Sequence, residues 1–384
     1  MHQHVIRWIC FFQGIIFTRF RRCQLQAIEV LTWLILGHLF GLYNPNQLAD
    51  ALGIAKSTLY SHLGSFSCYQ WKRLLLEVSC KQATELIEET EAMSDATKSR
   101  RRITLSVDDT VQERSGRVLS YCYNWYSGRF HKTLKGQNIL AVTIKIGDVV
   151  LPLNVRLVAK QGRANTSKPT ILKEMMSEIV AFFSEHNLDI TEYPISFDSW
   201  YGSQKLRETL EEIGFSSILI HAKSNYVFTI DGVKQKLSKH KKEITLKENQ
   251  WGCDKAVART TAESPTFGVL TLLFFADGSR IYCMMVFGPA KRAVEILRIW
   301  RQHHGIEQFW RNLKSIVGLS AMRMRGRDGA YASLGIKVLA YLLLVSLSME
   351  TKLTLQKIIL ALSGQREQLM EIIEHFHSAT QQVF

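Results

Sequence analysis

The sequence predicts a mixed α/β chain in which a helical N-terminal unit precedes a sheet-built core interrupted by a β-rich stretch. Three observations predict it. Residues 1 to about 90 carry apolar residues at three- and four-residue spacing with few strand signals. Residues 103 to 220 alternate short apolar runs with helical patterns. Residues 222 to about 288 are rich in Lys, Thr and alternating apolar residues, and a helical pattern resumes at Lys291.

A chain of 384 residues exceeds one small core, so two or three folding units are expected. The 46% hydrophobic and 21% charged residues are those of an ordinary globular protein and exclude a disordered or fibrous chain. Lys and Arg number 48 against 34 Asp and Glu, a net charge of +14 that favours a polyanionic partner, nucleic acid first. The seven cysteines (10, 23, 68, 80, 122, 253, 283) are scattered and never form a CxxC pair. That pattern argues against a disulfide framework and a zinc site, and fits a reducing cytoplasm. Val5 to Phe20 is apolar, yet Arg7 and Gln13 interrupt it and Arg19, Arg21 and Arg22 follow without a small-residue cleavage site, unlike a secretory signal. Ala27 to Leu42 contains Glu29 and His38 and is short for a membrane span, so both segments are expected to be buried helices, with no membrane partner.

The polar, aperiodic run from Glu88 to Arg102 marks a boundary. A strand then starts at Ile103 and is expected to end in Asp108-Asp109-Thr110. Two apolar runs, Ile139–Ile146 and Val149–Val158, flank the hairpin signal Gly147-Asp148. Ser167 and Pro169 open a helix running to about Glu185. The strand Tyr193–Phe197 ends at Asp198, and a helix (Ser203–Ile213) and a strand (Ser217–Ile220) follow. Three antiparallel strands and then strand–helix alternation is the order of an RNase H-like sheet. The predicted units are 1–95 (helical), 100–221 (first part of the core), 222–288 (β-rich insertion), 289–350 (second part of the core) and 351–384 (helical).

Asn44 to Leu63 resembles a helix-turn-helix. Asn44 caps a first helix with Pro45 in its first turn, Gly53 permits a left-handed turn, and Ala49, Ile54 and Leu59 fill the crossing. Lys56, Ser57, Thr58, Tyr60 and His62 then lie on or near a recognition helix facing double-stranded DNA.

Three acidic positions stand out: Asp108-Asp109 and Asp198 at strand ends, and Glu307 in a helix far downstream. Carboxylates without Cys or His partners make an oxygen-rich site that selects Mg²⁺ or Mn²⁺, and a pair of such ions clamps an in-line phosphoryl displacement. Around Glu307, residues 300, 303, 307, 311 and 314 share one face if the helix continues through Gly305, while Ile306, Trp310, Leu313 and Val317 form an apolar stripe. Lys291 to Arg327 holds nine Lys and Arg, Arg323 and Arg325 among them, against two acids, Glu295 and Glu307. A merely solvated basic face would not carry two Trp and a Phe.

The order Asp-Asp-Thr, Phe-Asp-Ser-Trp-Tyr-Gly, then Ile-Glu-x-x-Phe-x-x-x-Lys resembles the DDE transposases of bacterial insertion sequences over roughly residues 100 to 345. The last block is similar to their Y-x2-R-x3-E-x6-K signature: Glu307 and Lys314 match in spacing, Trp300 stands for the Tyr and His303 for the Arg. The resemblance implies Asp109, Asp198 and Glu307 as catalytic metal ligands, Asp109 being taken over Asp108 because it precedes Thr110. Alternation along Ile103, Leu105 and Val107 does not decide between them. It implies two Mg²⁺ (or Mn²⁺) ions, cleavage at terminal inverted repeats, attack of the 3′-OH on target DNA, and a homodimer in the synaptic complex, in a bacterial cytoplasm at the nucleoid. Trp300, His303, Arg311, Lys314, Arg323 and Arg325 are the implied DNA contacts of the helical region. Trp251, the single Trp of the insertion, is the candidate to stack a flipped base, although a core position is the simpler expectation. An RNase H-like nuclease or resolvase without strand transfer, and a transposase-derived DNA-binding protein without catalysis, are the competing readings.

Overall fold

The computed structural model describes residues 1–19, 25–93, 103–115, 119–128, 131–160 and 167–383. Arg21, Arg22 and Cys23, and the boundary residues 94–102, lie outside the described residues.

Among the described residues before 94 the regular elements are helices: α1 (His2–Arg19), α2 (Leu25–Leu39), α3 (Pro45–Leu52), α4 (Lys56–Gly64) and α5 (Cys68–Met93). Asn44 accepts a hydrogen bond from the Gln47 amide at 3.0 Å, and Gly53 ends α3 at φ +65°. The two apolar segments near the N-terminus are the buried helices α1 and α2.

The sheet begins with β1 (Ile103–Glu113), β2 (Cys122–Ser127), β3 (Lys132–Ile146) and β4 (Val149–Leu157). Gly147 turns β3 into β4 at φ +59°. β1 does not stop at its acids as expected. It pairs with β3 from Ile103–Ile146 to Glu113–Gly136, so Asp108 and Asp109 sit mid-strand. The strand β2, a pattern of mixed polar and aromatic residues with no clean period, has no counterpart among the predicted elements.

Then come α6 (Lys168–Glu185, capped by Ser167), β5 (Ile195–Phe197), α7 (Gln204–Ile213, capped by Ser203) and β6 (Ile218–His221). β1 pairs with β5 in parallel and β5 with β6 in parallel, giving the order β4-β3-β1-β5-β6, consistent with the expected RNase H-like sheet.

The stretch after residue 222 is β-rich as expected: β7 (Val227–Ile230), β8 (Val233–Lys236), a short α8 (Leu237–Glu243), β9 (Val257–Ser264), β10 (Gly268–Asp277) and β11 (Arg280–Phe287). It is not a separate sheet. β11 pairs antiparallel with β6, so the strands extend one eleven-stranded mixed sheet. Gly288 follows at φ +92°, where a Cβ would overlap the Ser216 carbonyl; no other residue type allows the chain to leave β11 there.

α9 (Ala293–Ser315), α10 (Gly326–Thr351), α11 (Leu355–Leu362) and α12 (Arg366–Val383) complete the chain. α10 is long and apolar enough to cross a membrane, but its most apolar window is 83% buried inside the molecule. One apolar cluster runs from α1, α2 and α5 through β1, β3 and β4 to α10, so the helices before residue 94 share their core with the sheet. A second, smaller cluster fills the space between β6, β9–β11 and the start of α9.

Candidate active site

β1 decides which acids meet. Its side chains alternate between two faces. Thr104 hydrogen-bonds Gln302, Ser106 touches Ser196 (3.1 Å), whose hydroxyl lies 3.0 Å from His303 Nδ1, and Thr110 accepts from Lys314 Nζ at 2.5 Å. The even-numbered residues therefore face α9. The odd-numbered face, with Leu105 and Val107, turns to α6: Lys168 Nζ of that helix is 2.7 Å from Asp109 Oδ2.

α9 runs alongside β1, and the lengths match: twelve helical residues from Gln302 to Lys314 rise ~18 Å, and six strand residues from Thr104 to Thr110 span ~20 Å. Glu307 thus falls beside Asp108. The helix is continuous through Gly305, whose Cα packs so near Lys145 and Val150 that a Cβ would lie 2.9 Å from Val150 Cγ2. The stripe Ile306, Trp310, Leu313 and Val317 is buried as expected, joined by Phe309. β5 ends at Phe197, level with Val107, so Asp198 projects past the end of its short strand toward Asp108.

Asp108, Asp198, Glu307, His221, His303 and His304 line one cavity of about 290 Å³. Burial, with Asp109, Asp198 and Glu307 nearby, pushes the Asp108 carboxyl up to about 8. It keeps a proton at neutral pH. Asp198 is held below the usual carboxylate range by His221, 3.9 Å away, and by its bond to the Ser199 amide (2.6 Å). Glu307 is held down by His304, 3.4 Å away, whose imidazole is raised in turn.

Asp109 is not in this cavity. Its Oδ1 accepts from Tyr201 Oη (2.6 Å), and its Oδ2 from Asn138 Nδ2 (2.5 Å) and Lys168, which leaves the carboxylate fully engaged on the α6 side. Asp108 shares the smaller cavity with Asp198 and Glu307, whereas Asp109 lines the adjoining larger groove together with Asp108 and Asp198.

The residues fit a divalent cation by donor chemistry. Three carboxyls converge from β1, β5 and α9, one holds a proton that a cation can replace, and His221 Nε2 is buried with no hydrogen-bond partner. The cage is not closed: among the described residues, no three His, Cys, Asp or Glu side chains are close enough to hold an ion.

The remaining predicted residues divide. Trp300 is wedged edge-on against Phe275 (4.7 Å between centroids) and beside Tyr282 (6.0 Å), fixing α9 to β10 and β11. His303 is drawn inward, and burial drags its imidazole down to about 4. It is uncharged at neutral pH, unlike the arginine whose place in the signature it takes. Trp251 is 54% exposed, against the expectation of a core position. Arg311, Arg323 and Arg325 are exposed, and Lys314 is partly buried against Thr110. On α4, Lys56, Ser57 and Thr58 are exposed while Tyr60 and His62 are half-buried; Lys56 pairs with Asp50 (3.1 Å), and Tyr60 Oη donates to Asn46 (3.3 Å). Ser196, His221 and Tyr201 escaped prediction. Only Tyr201 carried a signal, its place inside the Phe-Asp-Ser-Trp-Tyr-Gly block.

No curated protein matches the chain. A family model described as a transposase DDE domain matches residues 101–343, more than half of the chain and the whole span from β1 to the middle of α10. The acids gathered by β1, β5 and α9 all fall inside that match, and the chain belongs to the transposase DDE domain family.

Proposed function

We propose that this transposase cleaves DNA at the ends of its element and joins the freed 3′-OH to target DNA, with Asp108, Asp198 and Glu307 as the catalytic acids. One observation carries the proposal: acids separated by up to 199 residues of sequence line a single cavity, 307 − 108. Bound there, one or two Mg²⁺ or Mn²⁺ ions would supply Lewis-acid stabilisation of the attacking and leaving oxygens. The chain's own residues do the rest. Asp108 would hold a cation as its carboxylate, its proton passing to solvent, while His221 and His304 steady the carboxylates of Asp198 and Glu307. His303 and Ser196 brace α9 against β1 and β5, which fixes the reach of Glu307.

Lys314 and the exposed Arg311, Arg323 and Arg325 form the basic surface assigned to the DNA backbone. The Trp300–His303–Glu307–Lys314 block then serves as a variant of the YREK signature of bacterial cut-and-paste elements, with two of its four positions given to packing. Residues 1–95 are assigned to recognition of the terminal repeats through α3 and α4 as a helix-turn-helix, with Lys56, Ser57 and Thr58 toward the DNA and Tyr60 and His62 supporting the pair. The exposed Trp251 is the candidate for stacking a flipped base. A homodimer in the synaptic complex and a bacterial cytoplasmic setting complete the proposal.

The test is a strand-transfer assay on DNA carrying the inverted repeats that flank the gene. Joined products in Mg²⁺, absent in EDTA, support the proposal. Cut but unjoined ends identify a nuclease, and intact DNA that is bound tightly identifies a non-catalytic descendant.

A further inference from the structure

The turn that follows α9, residues 316–320, is gripped from two sides. On one side is the entry to α3. The Tyr43 amide donates to Gln47 Oε1 (2.8 Å), and the Gln47 amide donates in turn to the Asn44 side chain (3.0 Å), so Tyr43 belongs to the start of α3 and is no loose link. The Tyr43 and Val317 carbonyls accept from one and the same ammonium, Lys337 Nζ. The Tyr43 ring lies over Gly318, which holds φ +68°, and a Cβ there would sit 3.3 Å from Tyr43 Cγ.

On the other side are the two elements that carry Glu307 and Asp108. The Ile316 and Val317 amides donate to the Asn312 carbonyl (2.8 and 3.0 Å) and the Leu319 amide to the Leu313 carbonyl (3.0 Å). These bonds fasten the turn to the end of α9, where Lys314 reaches Thr110 of β1. Arg114, the residue after β1, is buried and donates from Nη1 to the Ser320 carbonyl and from Nη2 to the Leu319 carbonyl, each at 2.9 Å. One turn thus joins the start of α3 to the helix of Glu307 and to the strand of Asp108. Val317 and Leu319 are themselves buried, and in a close-packed interior such a turn cannot shift without moving what grips it.

We propose that Tyr43 is a positioning residue that passes the placement of α3 on DNA, through this turn, to α9 and β1, so that a recognised end is cut faster and not only bound more tightly. Coupling of this kind needs a contiguous network of packed and hydrogen-bonded groups between the two sites, and the turn supplies one. The proposal rests on the assignment of α3 and α4 to recognition and of Asp108 and Glu307 to cleavage.

The test uses the full chain with Tyr43→Ala, which strips the ring from Gly318 and leaves the backbone bonds of residue 43 in place, and with Tyr43→Phe, which keeps the ring. At saturating DNA in Mg²⁺, wild type and Tyr43→Phe are expected to cut terminal-repeat DNA faster than a scrambled duplex by roughly 5- to 150-fold, the usual span of coupling between two sites. Tyr43→Ala should cut both at nearly equal rates while still binding the repeat more tightly. Equal rates on both DNAs in the wild type, or an equal slowing on both in Tyr43→Ala, overturns the proposal. Amide exchange in EDTA reads the same coupling without cleavage. Repeat DNA should slow exchange in residues 45–52 and 316–320 of the wild type, but only in 45–52 of Tyr43→Ala. Protection of 316–320 in both proteins would mean that DNA covers the turn directly, and protection of 45–52 alone in the wild type would mean that the turn carries nothing; either overturns the proposal. No protection in residues 45–64 sinks the recognition reading and the proposal with it, whereas coupled protection without cleavage sinks only the catalytic assignment.

Discussion

Lys337 sits in the middle of α10 with no exposed surface, and its ammonium ties three parts of the chain together. Nζ donates to His38 Nε2 on α2 (2.8 Å), to the Tyr43 carbonyl just before α3 (2.6 Å) and to the Val317 carbonyl just after α9 (3.1 Å). Burial, and Arg114 after it, pull its titration from 10.5 down to about 7. A displacement of that size corresponds to ~5 kcal/mol against the charged form. Below pH 7 both folded and unfolded chains carry the proton and the contribution is flat. Between about 7 and 10.5 the unfolded chain holds a proton that the folded chain releases, so stability rises with pH, by at most ~1.4 kcal/mol per pH unit. His38, also pushed down by burial and by Lys337, stays uncharged throughout, and Tyr43, whose ring centre is 5.5 Å away, is raised. Lys337→Met keeps the length and removes the titration. Guanidinium unfolding of both proteins from pH 6.5 to 9.5 at constant ionic strength gives the stability difference at each pH. Subtraction cancels every other group, Asp108 included. The wild type should gain on the variant by roughly 2 kcal/mol between pH 7.5 and 9.5. Parallel profiles would refute the reasoning, for they would mean that Lys337 is charged in the folded protein at every pH tested.

Three more outcomes follow from packing, capping and burial. Gly335 of α10 lies against the fully buried Trp71 of α5, and an added Cβ would land on its ring; Gly335→Ala should cost about 1–3 kcal/mol of overpacking against at most ~1 regained in helix propensity, and an unchanged or raised melting midpoint would contradict it. Asn44→Ala removes the α3 cap, worth about 1 kcal/mol, so amide exchange within residues 45–52 should quicken by roughly fivefold and repeat-DNA affinity should fall; unaltered exchange would show that the cap is idle. His303→Arg puts a permanent charge where burial keeps an imidazole neutral, so cleavage should drop by roughly tenfold or more; activity at or above wild type between pH 7 and 8.5 would place His303 on the DNA instead.

The elements were legible where local chemistry set them. Asn44-Pro45, Gly147-Asp148, and Ser167 with Pro169 each carry their own turn or cap, and each forms as expected. What stayed hidden depends on partners distant in sequence. β1 runs past its acids because β3 continues beside it to Gly136, and β2 exists because the first half of β3 offers it an edge. The same long-range pairing joins β11 to β6, so the β-rich stretch continues the core sheet. The two faces on which Asp108 and Asp109 lie were in the alternation, though not among the apolar residues. Thr104 and Ser106 share a face with Asp108 and meet the polar side of α9, whereas Leu105 and Val107 share one with Asp109. For Trp300 and His303, matching a signature by spacing fixed the positions along the helix but not what packs over them.

The central claim is that Asp108 joins Asp198 and Glu307 in the catalytic cavity while Asp109 stands behind it, held by Lys168, Tyr201 and Asn138. The most direct test compares Asp108→Asn with Asp109→Asn in Mg²⁺-dependent cleavage of terminal-repeat DNA, with DNA binding measured alongside. Asp108→Asn should lose roughly 100-fold or more of the cleavage rate with binding preserved, and Asp109→Asn should remain within about tenfold of wild type, since amide and carboxylate are alike in shape and what is lost is the Lys168 ion pair and one of the hydrogen bonds from Asn138 and Tyr201. The reverse order, with Asp109→Asn inactive and Asp108→Asn cutting normally, would contradict the account.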